Sequence, residues 1–179
     1  MIYSGGEKHI FWIMGPTSSG KTTLAKLLHR RLVTAKKFAL HYDGDEVRDT
    51  FGSNLGFSNH DRLLVVKTLV HVSNKGLAAG ANVVVSALTA FEDARSYIKN
   101  YVNHLIVIYL QCSISECARR DPKGLYAKGK RGEINTLVGV HGTYHQPKDI
   151  DIILETEKNS PEESLKGLIS ELAKMRIGI

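Results

Sequence analysis

Short apolar runs alternate along this chain with longer stretches in which apolar residues recur every three or four positions. His9-Ile10-Phe11-Trp12-Ile13-Met14 has the length of a buried strand, and behind it Leu24, Ala25, Leu27, Leu28 and Leu32 fall at helical spacing. Phe38-Ala39-Leu40-His41-Tyr42 predicts a second strand. A long helix is predicted from Ser58, where Ser58-Asn59-His60-Asp61 has the pattern of a capping box, through Leu63, Leu64, Val66, Val70 and Leu77 to Gly80. The β-branched run Asn82-Val83-Val84-Val85-Ser86 predicts a third strand, followed by a helix over 92–101. Leu105-Ile106-Val107-Ile108-Tyr109-Leu110 is nearly all apolar, as a central strand should be. A short helix over 113–118 and a last strand, Ile152-Ile153-Leu154, come next. Ser160-Pro161-Glu162-Glu163 then opens a terminal helix with a cap, a proline in the first turn and a capping glutamate. Strands alternating with helices predict an α/β fold: a parallel sheet of about five strands between two helical layers. Without a repeat, low-complexity tract or linker, residues 1–179 are expected to form one domain.

Composition adds limits. A chain of 179 residues with 42% hydrophobic content can bury a sizeable core. No run of ~18 apolar residues is present, so no membrane partner is expected. The opening MIYSGGEKH lacks the basic and apolar regions of an export signal, and Cys112 and Cys117 are too few for a disulfide framework. These features predict a cytoplasmic protein with reduced, partly buried thiols.

Chemistry concentrates in residues 15–22, GPTSSGKT, which satisfy the pattern G-x-x-x-x-G-K-[ST] between a predicted strand and a predicted helix. Small residues let main-chain N–H groups close around a phosphate, and the helix start adds unpaired donors. Gly15, Pro16, Thr17, Ser18, Ser19, Gly20, Lys21, Thr22 and Thr23 are therefore the expected ATP cradle. Lys21 would reach the β- and γ-phosphates, and the Thr22 hydroxyl would ligate Mg2+. The context makes the fold a phosphate-binding-loop (P-loop) NTPase α/β/α sandwich.

The net charge of +6 is local: 119–131 holds six basic residues against Asp121, a net +5, which leaves +1 elsewhere. A nucleic-acid surface would spread its charge and interleave aromatic residues. Beside a phosphate-binding loop, this cluster reads as a lid closing over phosphates, over about 119–140, rather than as a solvated basic loop. Arg120, Lys128 and Arg131 become candidate ATP contacts. No polymer of nucleotides is expected as a partner.

Asp43-Gly44-Asp45 follows the second strand, where the carboxyl ends of strands gather around ligands. Phosphoryl transfer needs metal-assisted charge neutralisation and a proton acceptor. Asp43 is assigned to the magnesium shell and Asp45 to the acceptor hydroxyl as general base, with Gly44 letting the backbone turn. Arg48 lies three residues beyond Asp45 and could share its helical face. Arg48 and Arg62 suit either an anion clamp or surface ion pairs. His41 is read as an ordinary strand-end histidine, and Trp12 as core.

GPTSSGKTT, DGDEVR (43–48), LGFSNHDR (55–62), DPKGLY (121–126) and GEI (132–134) together resemble the adenylyl-sulfate kinase family, in order and in approximate spacing, over about residues 9–155. The resemblance implies transfer of the γ-phosphate of MgATP to the ribose 3′-hydroxyl of adenylyl sulfate, with sulfate assimilation as a setting and a homodimer as a form that the family often takes. It implies that Arg48 and Arg62 hold the acceptor, that Phe57 stacks on its adenine, and that Lys123 and 128–131 belong to the lid. The departures fall on the acceptor side. Val65 stands for an Asn, and Leu88-Thr89-Ala90-Phe91-Glu92 for I-S-P-[FY]-R, with Thr89 at a serine that some members phosphorylate. Leu137 stands where a second stacking Phe is usual, and His141 near an acid. Leu88, Thr89 and Leu137 are kept as acceptor contacts. Lost stacking costs ~1 kcal/mol or more, and a carboxylate at Glu92 would oppose an anion if it faced the sulfate. Two alternatives follow: a related kinase acting on another nucleotide-linked hydroxyl, such as a cytidine diphosphate derivative, and a non-catalytic nucleotide-binding module.

Overall fold

The computed structural model describes residues 6–179, so the first five residues of the N-terminal stretch read above lie outside the description. Five strands, β1 (Ile10–Met14), β2 (Ala39–Asp43), β3 (Asn82–Ser86), β4 (Leu105–Gln111) and β5 (Ile152–Glu155), form one parallel sheet in the order β2-β3-β1-β4-β5. The connecting helices are α1 (Lys21–Thr34), α2 (Gly44–Asp49), α3 (Asn59–Ala78), α4 (Glu92–Tyr101), α5 (Ile114–Arg120), α6 (Leu125–Lys130) and α7 (Pro161–Lys174). The strand in the middle is β1; the apolar run of β4 is interior as expected, between β1 and β5 and covered on both faces.

The sheet's alternation divides the core. Ile10, Trp12 and Met14 of β1 join Val83, Val85, Val107 and Tyr109 against α3 and α4. Phe11 and Ile13 join Val84, Ile108 and Leu110 against Leu24, Leu28 and Leu32 of α1 and Leu168 and Leu172 of α7. A sheet with both faces covered needs strands apolar at successive positions, and that is how β1, β3 and β4 read.

Helix starts follow the sequence signals. Ser58 and Ser160 each close a capping box, with Asp61 and Glu163, and Pro161 opens α7. The basic segment, read as a loop, instead contains α6. Asp121 accepts from the N–H groups of Tyr126 and Ala127, which lets a helix of six residues start there. Tyr126 and Leu137 bury a small cluster with Cys112 and Cys117, both free thiols. Burial pushes the Cys117 thiol up to about 12, so it stays protonated.

Every strand's carboxyl end faces one edge of the sheet. The chain leaves β1 toward β2 and β3, then crosses from β3 to β4 on the other side, which opens a crevice beyond the end of β1. Leu28 is fully buried between α1 and the sheet. We expect Leu28→Ala to destabilise the protein by about 2–5 kcal/mol, seen as a lower denaturant midpoint; an unchanged midpoint would show that α1 is not clamped to the sheet as described.

Candidate active site

A cavity of about 980 Å3 opens at the carboxyl edge of the sheet. Its floor at one end is the loop between β1 and α1. A Cβ on Gly15 would stand 2.8 Å from the Leu110 carbonyl oxygen and 2.8 Å from Ser19 Oγ, so only glycine lets the loop lie against β4. Ser18 (φ 65°) and Gly20 (φ 95°) take left-handed conformations. Gly20 caps α1 without any side-chain hydrogen bond, leaving the first helical N–H groups for an anion. Two bonds from elsewhere hold the loop: Tyr126 Oη of α6 donates to the Thr17 carbonyl at 3.1 Å, and Thr156 Oγ1, just beyond β5, donates to the Ser19 carbonyl at 2.9 Å. Residues 17–23 line the cavity; Gly15 and Pro16 support it from behind.

Lys21 Nζ arches back to the Pro16 carbonyl at 2.6 Å. Burial lowers its ammonium to about 8, against the upward pull of Asp45 and Asp43. Beside it, Asp43 is buried at the end of β2 and receives three donors. Thr22 Oγ1 (2.7 Å) and Ser86 Oγ (2.6 Å) donate to Oδ2, and the Asp45 N–H (2.9 Å) donates to Oδ1. Burial alone would raise its pKa, but these bonds outweigh burial and hold it below the ordinary carboxylate value.

The Ser86 hydroxyl has one proton, and it goes to Asp43. His41 Nε2, 3.0 Å from Ser86 Oγ, must therefore be the donor in that contact. His41 is thus no ordinary strand-end residue: it ends a chain running through Ser86 and Asp43 to Thr22. Sequence reading missed Ser86, although it is the polar last residue of a valine run, at the same sheet edge that singled out Asp43. Gly44 also has a different reason from the one inferred. It does not turn the chain; Asp43 caps α2 directly, and a Cβ on Gly44 would press on Ala87 Cβ at 3.3 Å.

Asp45 and Arg48 share the short helix α2, as their spacing predicts. Asp45 is exposed and pairs with Lys123 Nζ of the basic segment at 2.5 Å. Arg48 donates to the Gly56 carbonyl, and its guanidinium lies 4.7 Å from the Phe57 ring centre. Arg62 donates to the carbonyls of Phe57 (2.9 Å) and Thr136 (2.7 Å), and lies 5.6 Å from the Phe57 ring and 6.0 Å from Phe91. Neither arginine is a surface ion-pair residue. Both are held by main-chain carbonyls beside aromatic rings, and both line the cavity.

Other expectations fare unevenly. Leu88, Thr89 and Leu137 line the cavity, as do Val65 and Phe91; Leu137 is also part of the lid's apolar cluster. Arg120 lines the opposite end, fixed by Glu116 Oε1 (2.8 Å) and the Thr156 carbonyl (2.6 Å). Lys128 and Arg131 do not reach the cavity lining: both are exposed, and Arg131 pairs with Glu133. The reason is α6, which turns those side chains outward while its buried face carries Tyr126. Glu92 also lies outside this cavity, 4.0 Å from Arg95 at the start of α4, so the expected penalty from a carboxylate facing the acceptor does not arise. His141 and Tyr144 are absent from the lining, and the Tyr144 ring lies parallel to Tyr109. Asn159, Ser160 and Pro161 complete the Arg120 end; the capping pattern at Ser160 and Pro161 marks only the start of a helix, and the fold brings them to the loop.

Residues 7–155 match the family model described as Adenylylsulphate kinase. The chain is 34% identical over 165 residues to the adenylyl-sulfate kinase of Oceanobacillus iheyensis, covering 91% of this chain and 83% of that protein. It is 33% identical over 165 residues to the adenylyl-sulfate kinase of Pseudomonas aeruginosa, covering 91% and 84%. Among solved structures, the Mycobacterium tuberculosis APS kinase CysC in complex with AMPPNP and APS superposes with a TM-score of 0.86 at 31% identity, covering 94% of this chain and 99% of that one. A phosphate loop and an arginine-flanked wall in one crevice, together with these likenesses, show that the chain belongs to the adenylyl-sulfate kinase family.

Proposed function

We propose that this protein transfers the γ-phosphate of ATP to the ribose 3′-hydroxyl of adenylyl sulfate, giving 3′-phosphoadenylyl sulfate and ADP. One observation carries the proposal: the uncapped start of α1, Lys21, the two aspartates and the arginine pair Arg48 and Arg62 all face one continuous cavity. The whole acts as one kinase domain, with the lid over about 119–140. It works in the cytoplasm, in sulfate assimilation, with small nucleotides as its partners and a homodimer as its assembly. Among the described residues no helix is long and apolar enough to cross a membrane.

The loop amides and Lys21 grip the donor's phosphates, and the end formed by Arg120 and 159–161 receives its base. Among the described residues no three or more His, Cys, Asp or Glu side chains gather into a metal cage. Magnesium in kinases needs only one or two protein oxygens besides phosphate, however. Thr22 and Asp43 fit that demand: the hydroxyl directs its O–H at the carboxylate, which leaves its lone pairs free for a hard cation. When bound, Mg2+ neutralises charge on the transferring phosphoryl group.

Asp43 already serves three donors and is poorly placed to take a proton. Asp45 has a single side-chain partner, Lys123, and stands on the acceptor side, so Asp45 is the base. Movement of Lys123 from Asp45 to an anionic oxygen of the substrate frees the carboxylate as the lid closes. Arg48 and Arg62 hold the acceptor's anionic group, and Phe57 offers a face to its base. Phe91 supplies a second ring in the same half of the cavity, which offsets the Leu137 departure. Leu137 also supports the cytidylyl alternative, because a pyrimidine needs less stacking surface.

ADP release with MgATP and adenylyl sulfate is the direct test. Activity absent with adenylyl sulfate but present with a cytidylyl or uridylyl compound would transfer the assignment to the alternative. ATP binding with no productive acceptor would favour a non-catalytic module. We expect Asp45→Ala to keep ATP affinity while turnover falls by roughly two orders of magnitude or more; near-normal turnover would remove Asp45 as the base.

Lys21 predicts a proton effect. Free Lys21 loses its proton as pH rises through about 8, and bound phosphates favour the charged form. ATP binding should therefore take up close to one proton at pH ~9 and little through this group at pH ~7, with affinity falling as pH rises. Calorimetry in two buffers of different ionisation heat measures the uptake, and Lys21→Arg should abolish it. Uptake that persists in that variant would assign the proton to another group.

A further inference from the structure

Thr89 has a backbone that its side chain disfavours. Among the described residues six non-glycines have positive φ, and Thr89, at 41°, is the β-branched one. A threonine there persists only when its surroundings over-determine it. Two buried side chains do so. The Nε1–H of Trp12, fully buried on β1, donates to Thr89 Oγ1 at 3.0 Å. Arg95 of α4, only 9% exposed, donates from Nε to the Thr89 carbonyl at 3.0 Å. Its Nη2 donates to the His145 carbonyl at 2.5 Å, and its guanidinium lies over the Tyr144 ring. Neither Trp12 nor His145 lines the cavity, and neither does Arg95, yet Thr89 and its neighbours Leu88, Ala90 and Phe91 all do.

The geometry points to Trp12 and Arg95 as positioning residues that act through Thr89 to hold the wall 88–91 of the acceptor half in its binding shape. Arg95 also joins that wall to the segment behind the lid. Released, Thr89 would fall back to negative φ and swing Leu88 and Phe91 away from the cavity. Acceptor affinity would then be divided by the fraction of molecules whose wall is in place, while the donor cradle keeps its own supports. The buried, engaged Thr89 hydroxyl is also closed to modification in this conformation. This inference rests on the proposed acceptor half, so its test must separate the two.

Trp12 is the only tryptophan in the chain, so its fluorescence reports on its own N–H. Thr89→Val keeps the side chain's shape and removes the acceptor oxygen. We expect Trp12 emission to move to shorter wavelength and hydrogen exchange over 88–91 to speed up, whatever the substrate. Unchanged emission or unchanged exchange overturns the inference without touching the proposed reaction. With adenylyl sulfate, Thr89→Val and Trp12→Phe should each raise the acceptor KM roughly tenfold, the size of one lost hydrogen bond, with the ATP KM within about twofold. The double variant should be no worse than the worse single one. Additive losses, or equal rises in both KM values, would overturn the inference. Should Trp12→Phe not fold, Arg95→Lys, which keeps charge but loses the fork, must give the same acceptor-selective loss. Emission and exchange changes in Thr89→Val, together with no turnover of adenylyl sulfate by the wild-type protein, would reject the reaction and keep the wall.

Discussion

The Asp43 carboxylate is the point on which the site depends. A buried carboxylate is tolerated only if donors replace its water, and here three do so from three different elements. Thr22 belongs to α1, Ser86 ends β3, and the Asp45 N–H opens α2. Hydrogen bonds to a charged group contribute about 1.5–3 kcal/mol each, and removing one partner leaves the others uncompensated. The phosphate loop, the central sheet edge and α2 are therefore fixed relative to one another by a single ionised group. Its pKa lies below the ordinary value, so it stays charged at neutral pH.

The phosphate-loop end of the cavity is built from backbone and the arginine end from side chains, and they tolerate change differently. Gly15 cannot vary, because its missing Cβ is what lets the loop touch Leu110. At the other end, Arg48 and Arg62 are anchored through main-chain carbonyls, which any residue at 56, 57 or 136 would supply. Side chains between those anchors can then change without moving the guanidinium groups. This accounts for Val65 and Leu137 replacing polar and aromatic residues of the family pattern while the arginines stay in place.

Most of the fold was legible because it is written in local rules. Capping boxes at Ser58 and Ser160, the period of α1 and the valine run of β3 each state their own structure within a few residues. Strand order was not legible in the same way: β1 and β4 have the same apolar composition, and which lies in the middle depends on crossovers. In the site, residues within a motif could be read, since Lys21, Thr22, Asp43, Asp45 and Arg48 fall where their spacing puts them. Ser86 and Thr156 could not, because each acts on a residue tens of positions away, and neither could Arg95, which ties Thr89 to the distant His145. The outward turn of Lys128 and Arg131 was hidden for the same reason: α6 exists because Asp121 caps it, an arrangement with no strong pattern in sequence.

The basic segment shows how charge and hydrophobicity divide the work in a lid. Its net charge of +5 suggests phosphate contact throughout, yet only Arg120 and Lys123 of its six cations line the cavity. The others are exposed on the outer side of a cluster made by Cys112, Cys117, Tyr126 and Leu137. That cluster gives the segment a core of its own, and Tyr126 ties it to the phosphate loop through the Thr17 carbonyl. Anchored there, the segment holds Lys123 against Asp45, while its outer cations raise the local positive potential. Position within the cluster, more than the number of charges, decides which cation faces the cavity.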